Sequence, residues 1–146
     1  VQETDTICQA KRRMQKHNFR HLPVVDENGI LTGIVSDRDI LRSLPFPGKK
    51  PPYKSKIFRN YLFQVDPGRP VLQLEIRKAM TQKVQTVRPE SRVLEAADVL
   101  YNHSFGSLPV VDESGQIEGI VSTVDVLANM LELYRPLCSA AQVEVG

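Results

Sequence analysis

The chain repeats itself. Residues 17–41 read HNFRHLPVVDENGILTGIVSDRDIL and residues 103–127 read HSFGSLPVVDESGQIEGIVSTVDVL, so a shift of 86 brings 15 of 25 positions into identity. A repeat of this length fixes the architecture before any local reading, because each copy must be one supersecondary unit of the same design. Neither copy has the apolar surface for a robust core by itself. The two are therefore expected to pack together as a pseudo-twofold pair.

Each copy reads as helix, strand, strand, helix. Val93, Ala96, Ala97 and Leu100 recur at helical spacing, and Ile7, Ala10 and Met14 form the matching stripe. Asp5 and Ser91 stand where an N-cap is wanted, and Pro89 bars backward extension of the second helix. Short apolar strands follow at Leu22–Val25 and Leu108–Val111, each with a proline near its start. The turns Asp26-Glu27-Asn28-Gly29 and Asp112-Glu113-Ser114-Gly115 lead into second strands over Ile30–Val35 and Gln116–Val121, making two hairpins. Helical spacing resumes over Asp37–Leu44 and Thr123–Leu133. The second copy also has an upstream strand, Val84–Val87, whose counterpart in the first copy falls before residue 1.

Residues 1–44 thus form repeat one and residues 76–134 repeat two, with a C-terminal tail at 135–146. The connector, residues 45–75, holds six of the ten prolines, yet Ile57, Phe58, Tyr61, Leu62 and Phe63 are too apolar for a free linker, so it is expected to pack on the module or on a partner chain. The net charge of +2 argues against a nucleic-acid or membrane-surface field, even counting Lys49, Lys50, Lys54 and Lys56. No apolar run reaches the roughly 20 residues needed to span a bilayer, and no signal peptide is visible. Cys8 and Cys138 make no metal-ligand spacing and no disulfide framework, which suits the cytoplasm; Cys8 reads as core filler. The chain opens on Val1 and reads as a piece of a longer protein.

The chemistry concentrates where a strand ends and a helix opens, at Gly33-Ile34-Val35-Ser36-Asp37-Arg38-Asp39 and Gly119-Ile120-Val121-Ser122-Thr123-Val124-Asp125. Free N–H groups and the positive end of a helix dipole favour an anion there, and the serine hydroxyl adds a donor. Ser-x-x-Asp at such a junction is equally a capping box, in which both side chains serve only the helix. Spacing alone leaves both readings open. The copies differ in charge, since Arg20, His21 and Arg38 become Gly106, Ser107 and Val124. Three cations on one side suit phosphates. His17 and His103 coincide at a helix end and read as structural caps.

The string LPVVD, a Gly-bearing turn, GIVS-x-x-D and a following apolar helix, all occurring twice, resemble the cystathionine β-synthase (CBS) domain family. The resemblance implies an α/β fold of two β-α-β-β-α repeats, here without the first strand of repeat one, paired as a Bateman module. Such modules typically bind AMP, ADP, ATP or S-adenosylmethionine between their repeats, commonly form disc-like homodimers, and regulate an attached or associated enzyme, channel or transporter. Carried onto this sequence, the resemblance makes Asp39 and Asp125 the ribose acceptors and Ser36, Arg38, Arg20, His21 and Ser122 the phosphate contacts. Thr86, Ile34, Ser107 and Leu108 become the adenine wall of the Asp39 site. The Asp125 site then lacks a wall, leaving Asp39 as the expected competent centre. No nucleophile-base set, paired carboxylates or metal spacing points to an enzyme, and no cofactor is required. The alternative is a structural oligomerisation module without a ligand.

Overall fold

The structure is a computed structural model that describes residues 1–43, 68 and 70–135. The apolar stretch at Ile57–Phe63, the four connector lysines, Leu44 and Cys138 lie outside the described residues. Helix α1 spans Ile7–His17, strand β1 His21–Val25, β2 Leu31–Ser36 and α2 Asp37–Ser43. Two 3-10 turns follow at Pro70–Gln73 and Ile76–Lys78, and repeat two supplies α3 (Val93–Asn102), β3 (Ser107–Val111), β4 (Ile117–Ser122) and α4 (Thr123–Tyr134). The order is helix, strand, strand, helix in each copy, as the repeat predicts.

Each hairpin is a separate two-stranded antiparallel sheet, and both carry the same register shift, at Val24/Val25 and at Val110/Val111. The turns form as their residues dictate. Asp26 Oδ1 accepts the N–H groups of Asn28 and Ile30 at 2.9 Å each, and Asp112 Oδ1 does the same for Ser114 and Gln116. Gly29 and Gly115 take φ of 82° and 84°, conformations that an L side chain strains to adopt.

The caps fall one residue later than the sequence suggests. Thr6 is the N-cap of α1, in a box with Gln9, while the Asp5 carboxylate accepts the Gln2 N–H at 3.0 Å. Arg92 is the N-cap of α3, its N–H bonded to Glu95, and Ser91 Oγ instead accepts from Arg88. Both expected caps are short side chains already occupied in closing the preceding turn.

The upstream strand of repeat two also shrinks to one parallel bridge, Val87 to Val110. The Val87 N–H donates to Pro109 O and Val111 N–H to Val87 O. The next ladder bond toward the N-terminus would need an N–H at Pro109, which has none. Repeat one reproduces this end of the pairing: Val1 donates to Pro23 O, and Val25 N–H donates to Val1 O. The last residue of that strand is therefore present in repeat one, at Val1.

Two clusters form the core. The first gathers Ile7, Cys8, Ala10, Met14, Leu22, Val24, Val35, Ile40 and Leu41 with Leu72 and Ile76 from the segment that leads into repeat two. The second is smaller: Ala96, Leu100, Leu108 and Val126. Between the repeats, Ile30 and Gln116 form an antiparallel bridge. These two residues are equivalent under the shift of 86, so a local twofold axis passes between them, as in an isologous contact.

Candidate functional site

The pseudo-twofold generates two clefts that share a wall. The first, about 350 Å³, is lined by Ile34, Ser36, Arg38, Asp39 and Arg42 of repeat one. Facing them are Thr81, Lys83, Val84 and Gln85 and the stretch His103–Leu108 of repeat two. The second, about 700 Å³, brings Ile120, Ser122, Thr123, Val124 and Asp125 against Asn18–Pro23. His21, Arg38 and residues 104–107 line both.

Asp39 sits in a fully formed capping box. Its Oδ2 accepts from the Ser36 N–H at 2.9 Å and the Ser36 hydroxyl at 2.6 Å, while the Asp39 N–H donates to Ser36 Oγ at 3.2 Å. The other carboxylate oxygen, Oδ1, accepts from Arg42 at 3.1 Å. Asp125 makes the same box with Ser122, at 2.8, 2.5 and 3.3 Å, but stands exposed, and among the described residues no cation pairs with it. The capping reading is thus realised in both copies. It leaves Oδ1 of Asp39, shared with Arg42, as the oxygen open to a further donor.

The first cleft has a cationic rim. Arg38, Arg42 and Lys83 surround the single carboxylate of Asp39, with His21 and His103 adding imidazoles. Burial pushes the His21 pKa below its ordinary value, against the opposing pull of Asp37. A side chain at Gly106 would put its Cβ 2.7 Å from His21 Cε1, so the imidazole rests directly on the Gly106 backbone. The repeat-one counterpart of Gly106 is Arg20, and only glycine allows this approach. Ser107 is buried, and among the described residues its hydroxyl has no hydrogen-bond partner. An unmet buried hydroxyl costs about 1–3 kcal/mol unless a further group satisfies it.

Of the residues expected at the Asp39 site, the structure brings together Ser36, Arg38, Asp39, His21, Ile34, Ser107 and Leu108. Two are placed elsewhere. Arg20 is held by Asp37 at 3.3 Å and lines the second cleft, with Ser122 and Asp125. Thr86 lines a separate depression of about 230 Å³ with Ile30, Leu31 and Thr32, while its neighbour Gln85 enters the first cleft. Consecutive side chains of a strand-like course point to opposite sides, which divides the pair.

Thr81, Lys83 and Phe105 carry no site signal in the sequence reading, and His103 is read there only as a cap. His103 stacks on Phe105 with ring centres 5.1 Å apart, and His17 on Phe19 at 5.5 Å. The His-x-Phe spacing shared by both copies was the available signal.

Among the described residues, no helix is long and apolar enough to cross a membrane.

Comparison with known proteins agrees with this geometry. The sequence profile of the CBS domain matches residues 1–45 and 75–132. The chain is 30% identical over 123 residues to a homoserine O-acetyltransferase of Methanocorpusculum labreanum, a match covering 84% of this chain and 20% of that protein. It superposes on protein MJ1225 of Methanocaldococcus jannaschii with a TM-score of 0.69 at 28% identity, covering 89% of this chain and 43% of that one. The cytosolic domain of the Mg²⁺ channel MgtE, solved in complex with ATP, gives a TM-score of 0.61 at 28% identity over 88% of this chain and 43% of that one. The chain spans less than half the length of each of these three. With the profile matched in both repeats and the paired fold in place, this chain belongs to the CBS domain family.

Proposed function

We propose that this chain is a regulatory module that binds an adenine nucleotide or a related adenosyl ligand in the Asp39 cleft and controls an attached or associated protein. The observation that carries the reading is convergence: a carboxylate, three cations and a buried hydroxyl that has no partner among the described residues face one cleft built from both repeats. Apolar Ile34, Val84 and Leu108 offer a surface for a flat base beside Ser107. In this reading Asp39 exchanges Arg42 for the two ribose hydroxyls, to which a carboxylate is a matched acceptor. Arg42 turns with Arg38, Lys83 and His21 toward the phosphates, with Ser36 as a further donor. Ser107 directs its hydroxyl to the base. The ATP complex of the similar MgtE domain supports the ligand class.

Because the cleft spans two repeats, a ligand that prefers one relative arrangement of them shifts the population of that arrangement, which an attached protein can sense. Ser122 and Asp125, with Arg20 nearby, form the weaker counterpart in the second cleft.

Titration calorimetry with AMP, ADP, ATP and S-adenosylmethionine tests the reading. Millimolar or tighter binding is expected, lost in Asp39→Ala for every ligand. Arg38→Ala should weaken the phosphate-bearing ligands and spare S-adenosylmethionine, which has no phosphate. No binding to the unmodified chain, with Asp39→Ala costing only about 0.5–2 kcal/mol of stability as a lost cap, would leave a structural oligomerisation module.

A further inference from the structure

The segment that leads into repeat two runs along the Asp39 cleft as a strap tied at both ends. Thr81 pairs with Ile34 on the outer edge of β2 through two hydrogen bonds of 2.9 Å, which fixes one end to repeat one. Val87 donates to Pro109 O at 3.1 Å and accepts from the Val111 N–H at 3.0 Å, which fixes the other end to repeat two. The first anchor is close-fitting, since a Cβ at Gly33 would stand 2.9 Å from Thr81 O. Between the anchors, none of the backbone groups of residues 82–86 makes a backbone hydrogen bond among the described residues. A stretch tied in this way shifts at little cost while its ends stay in place.

The side chains of the strap alternate. Thr81, Lys83 and Gln85 line the Asp39 cleft, whereas Gln82 and Thr86 line the separate depression of about 230 Å³, and Val84 touches both. A strand-like course turns successive side chains to opposite faces, so parity decides which of them can reach a ligand. It selects Lys83. Arg38 and Arg42, the arginines that line the cleft among the described residues, both belong to α2 of repeat one. Lys83 meets them from the strap.

Three like charges around the single carboxylate of Asp39 repel one another across the opening. A phosphate group reverses the sign of that interaction, because it accepts hydrogen bonds from α2 and from the strap at once. It thereby draws the middle of the strap inward. Since the two ends belong to different repeats, a strap held on a phosphate favours one arrangement of the repeats over others. A ligand without a phosphate gives Lys83 nothing to hold.

We propose that residues 81–87 form a strap that closes on the Asp39 cleft when Lys83 takes a ligand phosphate, so that Lys83 both selects phosphate-bearing ligands and ties the two repeats together around them. The inference rests on the nucleotide reading of this cleft and adds to it the residue that senses the phosphate and the element that moves.

The test combines titration calorimetry with amide hydrogen exchange on the whole chain, using ATP and adenosine as probes. Adenosine supplies base and ribose without a phosphate. ATP is expected to slow exchange across residues 82–86 at least about threefold, and adenosine to leave it unchanged. Lys83→Gln should weaken ATP at least about tenfold more than adenosine, and should abolish the slowing even when ATP saturates the variant. Lys83→Arg, which keeps the charge, should restore both effects. Gln82→Ala, at the opposite parity, should alter neither. Equal slowing by the two probes overturns the proposal, as does slowing that survives in saturated Lys83→Gln or equal weakening of both probes by that variant. Where adenosine does not saturate, the behaviour of Lys83→Gln with ATP decides. Binding of ATP without slowing at 82–86 overturns the strap and leaves the nucleotide reading standing, whereas no binding of ATP overturns both.

Discussion

Asp39 divides its two carboxylate oxygens between a helix cap and an arginine. As the third residue of a capping box it holds the Ser36 N–H and hydroxyl on one oxygen, and the second oxygen holds Arg42. Spacing alone could not separate a cap from a ribose acceptor, because both need a carboxylate three residues after a serine. In the structure the cap uses Oδ2, and among the described residues Oδ1 accepts from the exposed Arg42 guanidinium, so the proposed ribose role would fall on Oδ1. Asp39→Asn, which keeps an acceptor for the cap, should therefore preserve stability better than Asp39→Ala while still losing ligand affinity, as calorimetry and denaturant melts together would show. Ser107→Ala is expected to leave stability unchanged or raised, since it removes a buried hydroxyl that has no partner among the described residues, and to weaken ligand binding. At His21, burial disfavours the imidazolium, so below about pH 6.5 the unfolded chain binds more protons than the folded one. The stability His21 contributes is full above that pH and declines as the pH falls through the lowered folded value. Denaturation midpoints measured at about pH 7.5 and about pH 5 should converge in His21→Gln relative to the unmodified chain.

The hairpins and helices of the two copies were legible because their signals are local. Alternation, turn aspartates and a glycine at positive φ need no partner to act. The upstream strand is shorter than its composition suggests for a local reason as well: Val84–Val87 has strand composition, but its partner offers Pro109 where the ladder needs an N–H. The caps slipped by one residue because a short polar side chain can close a turn or cap a helix, and composition does not say which. Leu72 and Ile76 are not legible as core, since a single i, i+4 pair beside a proline-rich connector is too short a pattern to mark a helix face. Leu72→Ala is expected to cost about 2–5 kcal/mol, the range for emptying a fully buried aliphatic site, measured by thermal or urea unfolding. Gly33→Ala should cost about 1–3 kcal/mol because its Cβ meets Thr81 backbone, whereas Gly119→Ala should be close to neutral. That contrast between equivalent glycines checks the asymmetry of the repeats directly.

Seen as one molecule, the chain is a twofold design with unequal halves. The bridge between the equivalent residues Ile30 and Gln116 sets the axis, and each cleft is the image of the other under it. Arg38 and His21 line both clefts, so phosphates in the two places would draw on the same cations. The sequence by itself determined the repeat, hence the paired α/β fold, the family and the two Ser-x-x-Asp junctions, because identity between copies and local spacing are properties of the chain. Only the tertiary structure decided which cations and which wall residues meet. It sent Arg20 to Asp37 and the second cleft, turned Thr86 away from Asp39, and brought Lys83 and Phe105 in. These outcomes depend on which segment lies across which repeat, and contacts between residues far apart in sequence leave no period for a reader of the chain to find.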